Sequence, residues 1–197
     1  VSSRLRAGLA VALALVVAGC AGSSFTRQSD EALGLGRTSY QEIRQRLGAP
    51  YREGTVVKNG KQLKTLTYAY ASAGGAPAYD GVVATRTQGF YFFEDRLAGY
   101  EFVSTWKDDL TDFDGTKATE IKHGASTRAE VVRLIGAPGG KYVYPMIANA
   151  DEHADVYLYA HVKGSAFNMK LYEKLLVVTY DQRGIVTNVD YRESGQK

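Results

Sequence analysis

A chain of 197 residues with a formal net charge of +3 has room for one or two small domains and too little positive charge for a field that would hold nucleic acid. Its single cysteine leaves no intrachain disulfide, so the fold must be held by its core. Tyrosine is unusually frequent, at 14 residues.

The first residues carry Arg4 and Arg6, and the apolar run Ala7 to Val17 follows (AGLAVALALVV). Charge, apolar core and small residues in that order make a secretory signal, and the run is short for a bilayer span. Val17-Ala18-Gly19-Cys20 resembles the lipobox of bacterial lipoproteins. The resemblance implies cleavage before Cys20 and a lipid on its sulfur. Each buried methylene contributes about 0.8 kcal/mol, so several acyl chains give stable anchoring. Ala21 stands where an inner-membrane retention aspartate would sit in Gram-negative lipoproteins. By that resemblance the expected location is the outer membrane, facing the periplasm. Loss of Arg4 and Arg6 takes the formal charge from +3 to +1.

An internal repeat follows. Residues 36–50 (GRTSYQEIRQRLGAP) and 124–138 (GASTRAEVVRLIGAP) share Gly36/Gly124, Glu42/Glu130, Gly48/Gly136, Ala49/Ala137 and Pro50/Pro138. Ser39-x-x-Glu42 and Thr127-x-x-Glu130 are capping boxes that open a helix. Ile43 and Leu47, like Val131 and Ile135, lie one turn apart and face a core together. Gly48 and Gly136 can take the left-handed conformation that closes a helix, and the prolines prevent its continuation. Such short helices need a sheet to lie on.

Strand patterns follow both helices: Leu63 to Ser72, Gly89 to Phe93 and Leu97 to Thr105 after the first, then Ala154 to Lys163, Leu171 to Tyr180 and Ile185 to Tyr191 after the second, with Lys141 to Tyr144 as a further candidate. The last hairpins match, Phe93-Glu94-Asp95-Arg96 against Tyr180-Asp181-Gln182-Arg183. The expected organisation is a signal peptide (1–19), a lipidated tether (20–35), a first helix-and-sheet unit (36–106), an acidic linker (107–123), a second unit (124–192) and a tail (193–197). The expected fold class is α+β, two tandem units, each a short helix on its own antiparallel meander.

The repeated helix motif, the tyrosine-rich strand after it and the terminal hairpin resemble the SmpA/OmlA family of small outer-membrane lipoproteins, the BamE-like proteins, over most of 36–105 and 124–192. Tandem copies of such a unit resemble the architecture of the β-lactamase inhibitory protein. The resemblance implies a non-catalytic protein-binding module in envelope or outer-membrane protein assembly or maintenance. The alternative it implies is a periplasmic enzyme inhibitor.

Tyr68 and Tyr70, and Tyr157 and Tyr159, sit at strand spacing that puts each pair on one face. With Trp106 at the junction they are the candidate partner-binding residues, since tyrosine and tryptophan are enriched at interfaces. The same rings could instead pack beneath the helices, and periodicity does not choose the face. Asp108 to Gly115 fails as a calcium loop: aligning Gly115 leaves Leu110 and Ile121 at ligand positions. His153 and His161 lack a metal-ligand spacing, and no nucleophile motif or phosphate loop is present. No enzyme activity, metal or small-molecule cofactor is expected. Cys20 is the expected lipidation site, and the expected partners are the membrane and an envelope protein.

Overall fold

In the computed structural model, residues 22–72, 74–165 and 168–196 are described. The expected signal peptide, Cys20 and Ala21 lie outside them. The described chain forms eight strands: β1 (Arg52–Lys58), β2 (Lys61–Ser72), β3 (Ala84–Phe93), β4 (Arg96–Ser104), β5 (Gly140–Tyr142), β6 (His153–Ser165), β7 (Asn168–Tyr180) and β8 (Val186–Gly195). They pair antiparallel in chain order within one sheet. Two helices, α1 (Tyr40–Leu47) and α2 (Arg128–Ile135), accompany them, with short 3-10 helices at Asp30–Ala32, Lys107–Asp109 and Gly115–Glu120.

One continuous sheet overturns the expected pair of tandem units, each with its own meander. The joint is β5. It pairs with β4 through Gly99↔Tyr142, Tyr100↔Lys141 and Glu101↔Gly140, and with β6 through Gly140↔Val156. A Cβ on Gly140 would stand 2.2 Å from the Tyr100 carbonyl oxygen, so only glycine lets the strands meet there. The candidate strand at Lys141 to Tyr144 lies here, but three residues are too few for their pattern to say which strands they join.

The repeat survives as local geometry. Ser39 and Thr127 each accept from the backbone N–H three residues on, and Glu42 and Glu130 reach back to the cap N–H. Gly36 N–H donates to Leu97 O at 2.8 Å, and Gly124 N–H to Val186 O at 2.7 Å, pinning each helix entry to a hairpin. Gly48 and Gly136 have positive φ, 76° and 109°, but ψ of −150° and −172°. They therefore close the helices from a region that is essentially glycine-only, not from the left-handed helical basin.

Both helices lie on one face of the sheet. Ile43 packs there with Leu66, Tyr68, Phe90, Phe92 and Tyr100, and Val131 with Tyr157, Tyr159, Leu176, Val178 and Tyr180. Residues 107–123, expected as a solvated linker, belong to this layer. Phe113, Ala118 and Ile121 are buried in the second cluster. The acids of that stretch serve structure: Asp109 pairs with Arg86 at 2.7 Å, Asp112 with Lys174 at 2.6 Å, and Asp114 caps the helix at Gly115–Glu120. Burying Phe113 and Ile121 draws the segment onto the sheet.

Candidate functional site

The expected contact tyrosines lie on the helix-bearing face. Tyr68, Tyr157 and Tyr159 are 3%, 3% and 1% exposed, so the expected partner-binding exposure is corrected for all three. Tyr68 donates to Gly48 O at 3.0 Å and Tyr157 to Gly136 O at 3.1 Å. Each phenol thereby ties the closing glycine of a helix to the strand beneath it. Tyr70 and Trp106 are half-buried and stack on each other, centroids 6.2 Å apart and planes 14° apart, with the Arg86 guanidinium 4.8 Å over the indole. Gly75 closes this stack, since a Cβ there would lie 2.7 Å from the indole ring. Tyr68, Tyr157 and Tyr159 are held in the core, whereas Tyr70 and Trp106 form a half-exposed stack.

The reverse face of the sheet has another character. Strand alternation is regular: Tyr157, Tyr159 and His161 are buried, while Leu158, Ala160 and Val162 between them are half-exposed. Thr67 and Ala69 on β2, Val103 on β4, and Leu175 and Val177 on β7 share that half-exposed face. One end is capped by Met146 and Ile147, which pack with Leu63, Ala98, Tyr142, Ala154 and Val156. Beyond that cap, helices α1 and α2 leave the face uncovered.

Glu101 lies at the middle of this face, on β4. It is in register with Gly89 on β3 and Gly140 on β5, so no side chain stands on either neighbouring strand beside it. Its carboxylate accepts from Tyr91 Oη at 2.8 Å and from Tyr142 Oη. Burial, then the Glu101 charge, pushes both phenols well above their ordinary value, so they remain donors. A carboxylate can accept about four hydrogen bonds, and two are made here. Among the described residues no Lys, Arg or His forms an ion pair with Glu101. A half-buried charge without a counter-charge is unfavourable unless another group supplies one. The arrangement is a fixed carboxylate lying over Gly89, held by two phenols among threonines and aliphatic side chains.

Sequence reasoning passed over Glu101. The available signal was a lone acid inside an otherwise apolar strand (LAGYEFV). Its two glycine neighbours come from distant parts of the chain, and only the register brings them together.

His153 lies beside Tyr180, ring centroids 5.5 Å apart, and His161 beside Tyr159 and Tyr172. Among the described residues no three His, Cys, Asp or Glu groups converge as metal ligands. No described helix is long and apolar enough to cross a membrane.

No family model matches the chain, and no curated protein matches it. The SmpA/OmlA resemblance therefore stands on the repeated helix motif and its strands without family support. Among solved structures, a Streptococcus mutans protein provisionally assigned as a β-lactamase inhibitor protein is similar at 12% identity and a TM-score of 0.38, with 91% of this chain and 96% of that chain covered. A likeness at that level establishes neither a shared fold nor a shared function.

Proposed function

We propose that this chain is a non-catalytic protein-binding module of the cell envelope, held by a lipid on Cys20 at the outer membrane and facing the periplasm. Its partner is a protein that presents a lysine or arginine to Glu101 on the uncovered face of the sheet. The work of the complex is envelope or outer-membrane protein assembly or maintenance.

The observation that carries this reading is the carboxylate without a counter-charge on the uncovered face. A basic side chain approaching it from above the sheet would add to the carboxylate's hydrogen bonds and supply the missing charge. The surrounding Thr67, Val103, Leu158 and Val177 would give the flat apolar contact of an interface core. Blocking of a periplasmic hydrolase would be one use of the same face. The lipobox at Val17–Cys20 supports the anchor, and Ala21 supports the outer membrane.

The test is photo-crosslinking in intact cells from a reactive residue placed at Val103 or Leu158. A defined adduct is expected from both positions, reduced at least tenfold by Glu101→Lys, and absent from exposed Gln182 on the opposite end of a hairpin. Labelling with a palmitate analogue is expected for the wild type and lost in Cys20→Ser. Equal adducts with and without Glu101→Lys would overturn the docking face. Lipid labelling that survives Cys20→Ser would overturn the anchor.

A further inference from the structure

Where the short β5 ends, β4 and β6 separate, and loops take the place of a strand. Thr111 Oγ1 donates to Leu158 O at 2.9 Å, and Val83 N–H to Val162 O at 3.0 Å. Below these loops, on the helix-bearing face, lies a cavity of about 360 Å³. Tyr79, Val82, Tyr159, His161, Tyr172 and Lys174 wall it. That volume suits one ring and a substituent.

The rings are already arranged edge to face. Tyr159 lies 6.4 Å from Tyr79, and His161 lies 5.5 Å from Tyr159 and 5.1 Å from Tyr172. His161 is 8% exposed, and neither ring nitrogen has a hydrogen-bond partner in the protein; the Tyr159 hydroxyl, on a residue 1% exposed, is likewise unpartnered. Three orphaned polar atoms at one cavity are a costly arrangement for packing alone. A core of the same shape could be built from phenylalanine.

The carboxylates beside the cavity are already engaged: Glu193 accepts from Tyr172 Oη at 3.0 Å and from Tyr191 Oη at 2.6 Å. Asp112, on its wall, has a counter-charge and two further partners: Oδ1 pairs with Lys174 Nζ at 2.6 Å and accepts from the Phe113 N–H, and Oδ2 accepts from Tyr79 Oη at 2.6 Å. Lys163 and Lys170 are directly opposed across the β6–β7 ladder on this face, and among the described residues neither has an ion pair. Like charges so placed repel, and a bound anion would remove the repulsion. A cationic ligand would find the aromatic walls but no free carboxylate.

The geometry points to a binding site for a small anion bearing a flat ring, an aromatic carboxylate. The ring lies among Tyr79, Tyr159, His161 and Tyr172, and the carboxylate faces Lys163 and Lys170. This site is on the opposite side of the sheet from Glu101 and is independent of the docking reading.

Benzoate is the probe, with benzyl alcohol and benzylammonium as neutral and cationic counterparts, titrated into the described chain by calorimetry and followed by the His161 ring protons in NMR. Benzoate is expected to bind with a Kd on the order of 1 mM or tighter and to shift the His161 resonances. Lys163→Gln with Lys170→Gln is expected to weaken it at least threefold. His161→Phe keeps the ring and removes the nitrogens, and is expected to fold normally while weakening binding about tenfold, as loss of a charge-assisted hydrogen bond does. Benzylammonium bound as tightly as benzoate, no saturable shift with benzoate, or binding unchanged in both variants would each overturn the assignment.

Discussion

Asp155 is 1% exposed and is met by Arg128 through two bonds, Nε to Oδ2 at 2.8 Å and Nη2 to Oδ1 at 3.0 Å. In the first copy of the repeat the corresponding positions are Tyr40 and Leu66, an aromatic and an aliphatic side chain in the same layer. The pair is thus a replaceable part of the helix–sheet contact. Arg128→Met leaves a buried carboxylate alone and is expected to cost about 2–4 kcal/mol. Arg128→Tyr combined with Asp155→Leu is expected to recover most of that loss, read from urea midpoints at an unchanged slope. Recovery of none of it would mean the pair contributes more than the apolar contact that replaces it. Tyr157→Phe removes only the hydroxyl that binds Gly136 O and is expected to cost about 1 kcal/mol. Tyr157→Ala empties a core position and is expected to cost about 3–5 kcal/mol.

At the scale of the element, the hairpin between β3 and β4 turns on Glu94 and Asp95, both non-glycine residues at positive φ, 49° and 63°. That turn matches strand twist but strains L residues. Asp95→Gly is expected to stabilise the fold by about 0.5 kcal/mol, the relief of left-handed strain less glycine's entropy cost, measured as a rise in thermal midpoint. The β4–β5–β6 joint responds in the opposite sense. Gly99→Ala would set a Cβ 2.6 Å from the Tyr142 ring, and Gly140→Ala would meet backbone. Gly140→Ala is expected to lose the cooperative transition, because the carbonyl of Tyr100 cannot yield as a side chain can. The capping boxes, by contrast, were readable in the sequence because their chemistry is complete within four residues. The strands β2, β4 and β6 to β8 were readable for a similar reason, each alternating over many residues, whereas of β3 only Gly89 to Phe93 was readable. β1 (REGTVVK) was missed because it is largely exposed and carries little alternation.

Over the whole molecule, alternation told that each strand had two faces, but not which one the helices would cover. That choice decided the fate of the tyrosines, and it rests on packing between each helix and strands well beyond its own motif, as of Ile43 with Leu66 and Tyr100. The consequence is measurable with pH. Burial raises the phenols of Tyr68, Tyr91, Tyr100, Tyr142, Tyr157, Tyr159 and Tyr180, and the Asp112 carboxylate, through its hydrogen bond, raises Tyr79 to about 12. A phenol with a folded value above its unfolded value of about 10 favours the fold below that pH. The contribution is lost as pH rises through the folded value. Stability is therefore expected to hold to about pH 10 and to fall steeply above it, with the phenolate absorbance of the buried rings appearing together with unfolding. Ionisation of Tyr68, Tyr100, Tyr157, Tyr159 and Tyr180 on an intact fold would contradict their burial. On the acid side, burial and then Lys163 lower His161, so its contribution is present above about pH 6.5 and is lost as pH falls through the lowered value.

The strictly consecutive strand order has a consequence for how the protein is made. Every strand after the first bonds to the one synthesised just before it, and β1 pairs with β2 alone. Within the ladder most loop closures are therefore short, the longest being that between Ser104 and Gly140. A chain threaded through a membrane pore from its amino end could lay down its hydrogen-bond ladder rung by rung as it emerges, leaving a few early groups, Asn59 and Val83 among them, to find Pro145 and Val162 afterwards.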